Sequence, residues 1–190
     1  MYSVCHRLRT EVDRNQEYSF PMTTCQTITL DYDEEMKNTR KLLERVPLDD
    51  IHRGYQPHTK SMSLGNLATH VAEIPSWLEL ALDREVFVLP PDWVQHVASS
   101  TAELLEIFDK SVKSGRAALD GATDADMQKD WTFKFGDSFS MTTPRTQVVR
   151  SFLNHVVHHR AQLGVYLRLN NIPVPGMYGP SADDQWDGPR

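Results

Sequence analysis

Asn154-His155-Val156-Val157-His158-His159-Arg160-Ala161-Gln162-Leu163 sets three imidazoles within five residues of an otherwise apolar helical run. On a helix turning about 100° per residue, His155 and His159 stand four apart and project from one face, roughly one turn above each other. Val148, Phe152, Val156, Leu163 and Tyr166 share that arc, so the pair is predicted to point into a packed interior. Burying a neutral imidazole without a partner is costly, and shared coordination of one divalent metal satisfies two together. The competing reading is a pair of hydrogen-bonded core histidines, and a third ligand elsewhere in the chain is what favours the metal.

That third candidate lies upstream in Ser63-Leu64-Gly65-Asn66-Leu67-Ala68-Thr69-His70-Val71-Ala72-Glu73-Ile74-Pro75-Ser76-Trp77. Leu67, Val71, Ile74 and Leu78 make a helical stripe with His70 on its inward edge. Three neutral imidazoles from two packed helices, with the other positions left to water or substrate, make up an open catalytic metal site rather than a closed structural one. The stretch His155 to His159 is not HExxH, because Val156 stands where the general-base glutamate belongs, and a zinc-protease mechanism is excluded on residue type.

At 190 residues the chain is long enough for one domain with a substantial core. Its 20 basic and 26 acidic residues give a net charge of −6 with the cations scattered. Neither nucleic acid nor an anionic membrane is therefore the expected partner, which leaves a small-molecule substrate. The chain has no apolar run of spanning length, and Met1-Tyr2-Ser3-Val4-Cys5-His6-Arg7 lacks the apolar centre of a secretory signal, so a cytoplasmic location is expected. Cys5 and Cys25 precede the first convincing helix and offer neither a disulfide framework nor a CxxC pair.

Residues 1–29 are polar and aperiodic and are read as a loose N-terminal extension, with Met22 as a second candidate start. The predicted bundle domain occupies 30–190. Its first helix runs from about Leu30 through Tyr32, Met36, Thr39, Leu43 and Val46 to the stop at Pro47. A second, capped by Ser61 or Ser63, carries His70 to about Leu82 with a kink at Pro75. A third is expected from Trp93 to Leu119. Aromatic and polar residues then alternate around Gly136-Asp137 in a β-hairpin pattern. Thr143 and Pro144 suit the cap and first position of the last helix, which ends near Asn170-Asn171. The following Ile172-Pro173-Val174-Pro175-Gly176-Met177-Tyr178-Gly179-Pro180 is extended. The predicted fold is all-α: an up-down four-helix bundle with a small β-hairpin before the last helix.

Three segments carry a resemblance to a known family: Leu67-Ala68-Thr69-His70-Val71, His155 to Leu163, and Ile172 to Asp183. On these the chain resembles the DinB family of metal-binding four-helix proteins, over about Leu30 to Asp184. The resemblance implies that His70, His155 and His159 hold a divalent metal and that the chain forms a homodimer; three imidazoles suit zinc, nickel, iron or copper, with zinc or nickel placed first. Ala161 stands where the family often carries glycine. The family includes bacillithiol and mycothiol S-transferases and a maleylpyruvate isomerase beside stress-inducible proteins, so kinship alone does not choose a reaction.

Three functions follow. In the first, the metal activates a low-molecular-weight thiol for S-transfer to an electrophile. In the second, it activates water in a hydrolase, with Glu73 or His158 moving the proton. Each of these two side chains is equally readable as a solvated helix residue. In the third, a non-enzymatic dimer uses the metal only to tie helices together, which calls for a fourth protein ligand such as an aspartate or His52, His58 or His96. Trp77 and Tyr178 are candidates to line the site, and Arg160 either recognises a carboxylate or pairs with an acidic neighbour on the bundle surface.

Overall fold

The computed structural model describes residues 22–184. Four long helical stretches form the bundle: α1 (Thr24–Leu43), α2 (Leu64–Glu73) continuing through a 3-10 turn (Ile74–Ser76) into α3 (Trp77–Asp83), α4 (Thr101–Gly121) and, after a short α5 (Asp124–Met127), α6 (Arg145–Leu169). Beside them a sheet of β1 (Val86–Leu89), β2 (Asp130–Phe135) and β3 (Phe139–Pro144) is ordered β1-β2-β3. Tyr32, Leu42, Leu67, Val71, Ile74, Leu78, Leu104, Phe108, Val149, Val156 and Leu163 bury their side chains in one continuous core. This is the predicted all-α bundle, with more β structure than a hairpin.

Helix α1 begins at Thr24, not near Leu30, which removes 24–29 from the expected extension; 1–21 lie outside the described residues. Thr23 and Gln26 form a reciprocal capping box, and the Asp124 carboxylate accepts from the Thr24 and Cys25 amides at 3.1 and 3.0 Å. A carboxylate there also suits the positive end of the helix dipole. Cys25 and Ile28 are thereby folded into the core.

Pro75 ends α2 as expected, and the chain resumes one 3-10 turn later, so His70 and Trp77 lie on either side of a kink rather than on one straight rod. The kink is clamped from α4. A Cβ on Gly115 would stand 2.1 Å from the Pro75 carbonyl oxygen and 2.7 Å from the Tyr32 hydroxyl, which donates to Val112 O at 3.0 Å. Only glycine permits that approach.

The third helix does not start at Trp93. Ser100 caps α4 by accepting from the Glu103 amide, and 90–100 cross the surface as a loop with Trp93 and Val94 exposed. The loop is pinned by Ala98 N–H to Thr69 Oγ1 at 3.0 Å. The hairpin forms around Gly136, which adopts φ +51°, and pairs Phe135 with Phe139. Against its β2 edge β1 adds in parallel, Val86 opposite Thr132, a strand not foreseen from the sequence. Thr143 and Pro144 belong to β3, so Pro144 sits at the N-cap of α6 without a side-chain cap bond. At the far end Asn171 takes φ 57°, with Ile172 N–H to Leu167 O and Asn171 N–H to Arg168 O closing a Schellman motif. Among the described residues no helix is long and apolar enough to cross a membrane.

Candidate metal centre

The kinked second helix and α6 pack face to face, and their histidines meet between them. Nitrogens of His70, His155 and His159 all lie within 4.8 Å of one another, and the ring centroids are 4.4 to 5.1 Å apart. His70 Nε2 and His155 Nε2 approach to 2.9 Å. Trp77, one turn past the kink, sets its indole 5.3 Å from His70 and 5.5 Å from His155, and Phe152 backs it at 5.4 Å. All three imidazoles are half-buried.

Burial sets their charge state. Desolvation pulls His70 down to about 4, helped by the neighbouring His159 and His155. His155 and His159 are lowered for the same first reason, while a hydrogen bond to Gln162 works the other way on His159. At neutral pH the cluster therefore offers neutral imidazoles with available lone pairs, the protonation state a divalent cation requires. Three nitrogen donors this close fit one zinc-like ion, whose Zn–N distances are about 2.0–2.1 Å.

The remaining candidates fall outside the cluster. His158 is exposed and meets the others only through His159, at 4.9 Å between ring centroids. The carboxylate of Glu73 accepts from Gln95 Nε2 at 3.3 Å, and burial raises its pKa. His52 pairs with Asp49, His96 pairs with Glu103, and His58 Nδ1 accepts from the Lys60 amide. Among the described residues no fourth protein ligand joins the three histidines.

Arg160 pairs with an acidic neighbour, as one of its two readings had it, but inside the bundle, and Tyr178 joins that pair. Arg160 is only 3% exposed and pairs with the half-buried Glu35, whose carboxylate lies 2.6 Å from Nη2. Its Nη1 donates to Glu35 O and Thr39 Oγ1 at 3.0 and 3.1 Å, and Nη2 donates to the Tyr178 hydroxyl at 2.5 Å. Tyr178 in turn donates to the Glu35 carboxylate at 2.8 Å. This knot joins α6 to α1 and to the extended tail.

Two side chains near the histidines had no assigned part in the sequence. Gln162 Oε1 lies 2.8 Å from His159 Nδ1, a contact legible in principle because residues three apart on a helix are neighbours. Gln95, which donates to both Asn66 O and Glu73, reaches α2 only through the path of the 90–100 loop, and no local pattern announces it.

A bundle with a small flanking sheet that gathers three neutral imidazoles between two helices defines the kind of protein this is. The sequence profile of the DinB family matches residues 22–188, and the chain belongs to that family. It is 25% identical over 157 residues, 80% of this chain and 86% of the other, to YrdA of Bacillus subtilis (strain 168), a protein described as uncharacterized. Solved structures of a DinB-like protein from Bacillus cereus ATCC 10987 and of YjoA from Bacillus subtilis share the fold. The first has a TM-score of 0.63 at 21% identity, covering 80% of this chain and 95% of that one. For the second the TM-score is 0.58 at 17% identity, with 77% and 95% covered.

Proposed function

We propose that the protein is a metal-dependent thiol S-transferase in which His70, His155 and His159 hold a divalent cation, zinc or nickel. The observation that carries this reading is the convergence of three neutral imidazoles with no fourth protein ligand among the described residues. A structural zinc site is normally closed by four protein ligands, whereas three leave positions for exogenous molecules. When bound, the cation supplies Lewis acidity that lowers the pKa of a thiol entering those positions. The histidines bring no negative charge, so the full double charge of the ion is left to favour an anionic sulfur. Trp77 and Phe152 wall one side with apolar surface and restrict water there. In the transfer, the thiol gives its proton to solvent water, its sulfur forms a bond to the electrophilic carbon, and the bond from that carbon to the leaving group breaks with the pair departing on the leaving group. A homodimer accompanies this reading on the strength of the family resemblance.

A hydrolase is the second reading, favoured by one observation: Glu73 is half-buried, one turn from His70, and burial raises the pKa of its carboxyl. Its engagement with Gln95 ranks it behind the transferase.

Elemental analysis of untagged protein, followed by addition of cysteine, glutathione and bacillithiol to the cobalt-substituted form, tests the proposal. Stoichiometric metal and a thiol-dependent shift in the cobalt absorption are expected. Metal without any thiol response removes the transferase. Hydrolysis of an activated ester that vanishes in His155→Ala then promotes the second reading, and silence in both assays leaves a non-enzymatic metal-binding protein.

A further inference from the structure

We propose that Gln162 is a positioning residue of the metal centre: its amide oxygen keeps the proton of His159 on Nδ1 and so presents the Nε2 lone pair to the ion. The inference rests on the metal-binding reading above and adds to it which nitrogen is used and what selects it.

An amide oxygen only accepts, so the 2.8 Å contact between Gln162 Oε1 and His159 Nδ1 requires the proton on Nδ1. That leaves Nε2 as the lone-pair nitrogen of His159. His70 and His155 already direct Nε2 inward, since these are the atoms that meet at 2.9 Å. With Gln162 in place all three ligands present the same ring nitrogen to one point. The helix makes the reach natural, because side chains lean toward the N-terminus and a residue three positions later lies back over the ring it serves.

The other two histidines lack an equivalent support at the same spacing. Glu73, three after His70, turns to Gln95, and His158, three after His155, is exposed. Trp77 steadies those two rings instead by edge and tilted packing. His159 has no contact with Trp77 among the ring pairs, so Gln162 is the group that fixes its orientation. Partners of this kind set ligand tautomer and ring direction, and their loss costs about 10–100-fold in metal affinity.

The test uses the full chain and the variants Gln162→Leu and Gln162→Glu, with two readouts. The first is the 15N spectrum of the metal-free protein, which reports which nitrogen of His159 is protonated. The second is zinc affinity by competition with a chromophoric chelator. Gln162 is exposed, so both variants should keep the wild-type fold. Wild type should show His159 protonated on Nδ1. Gln162→Leu should lose that signature and bind zinc about 10–100-fold more weakly. Gln162→Glu, which retains the acceptor, should restore both. Unchanged zinc affinity in Gln162→Leu overturns the proposal, as does weaker affinity with an unchanged tautomer or a glutamate variant that restores neither. Wild-type protein that takes up no zinc fells the function reading and this inference together, whereas a wild-type-like leucine variant fells this inference alone.

Discussion

Replacing Gly115 by alanine puts a methyl group where the kinked second helix presents backbone. The new Cβ would lie 2.1 Å from Pro75 O and 2.7 Å from the Tyr32 hydroxyl, both far inside van der Waals contact. Relief requires α4 and the 3-10 turn to separate by about 1 Å, and the turn is held by Ile74, fully buried, and by the proline ring itself. Overpacking of this sort costs about 1–3 kcal/mol, and displacing the Tyr32 hydroxyl from Val112 O forfeits about 1 kcal/mol more. Alanine returns about 1 kcal/mol through its better helix propensity. The net expectation is a loss of about 1–3 kcal/mol, or about 2–12 °C in Tm for a chain of this size. Because the moving turn follows directly on the His70 helix, zinc affinity should fall as well. Gly121→Ala is the control: nothing lies within 4 Å of its Cβ, so the same substitution on the same helix should be neutral or stabilising by up to about 1 kcal/mol. Thermal melts of both variants with a chelator titration suffice. A Gly115→Ala protein as stable as wild type would show that the close approach to Pro75 does not constrain the kink.

His159→Ala should release the metal while His158→Ala keeps most of it, measured by metal content after dialysis; equal loss from both would mean the wrong pair was chosen. Arg160→Ala should cost about 2–3 kcal/mol in urea unfolding by removing a buried side chain and leaving the half-buried Glu35 carboxylate only its bond from Tyr178, and Tyr178→Phe about 1 kcal/mol. In metal-free protein the His70 pKa is depressed in the folded state, so its contribution is full above the unfolded value of 6.5 and is lost as pH falls toward about 4. After allowance for its partial exposure this amounts to about 1–2 kcal/mol, and His70→Gln should flatten that part of the stability profile between pH 7 and 4.5. A chain beginning at Met22 retains the Thr23 capping box and should match the full chain in Tm and metal content, whereas starting at Leu30 should lower Tm sharply.

The gathering of the three histidines was legible because helical spacing sets His155 above His159, and the apolar stripe of Leu67, Val71 and Ile74 turns His70 the same way. What escaped depends on partners distant in sequence. Thr24–Thr29 read as polar because the group that caps them, Asp124, lies on another element. Trp93, Val94 and Val97 mimic a helical stripe, yet Ser100 offers the better cap and the chain before it is spent on reaching Gln95 and Ala98 to α2. Val86–Leu89 is short and runs into Pro90-Pro91, and it becomes a strand only because β2 presents a free edge. Arg160 looked like a surface cation since nothing local shows that Glu35, Thr39 and Tyr178 close over it.

The parallel pairing of β1 with β2 has a consequence for the order in which the chain assembles. The β2–β3 hairpin closes over three residues and can form in about 1–10 μs, independently of the bundle. β1 cannot join until α4 and α5, which lie between the two strands in sequence, have folded back as a crossover, so its loop-closure entropy is met late. The strand that docks last is also held by few bonds, among them Thr132 N–H to Glu85 O and Gly136 N–H to Leu89 O. Those two amides should exchange with solvent through a local detachment of β1, well before the amides of α4 and α6 that open only with the whole domain.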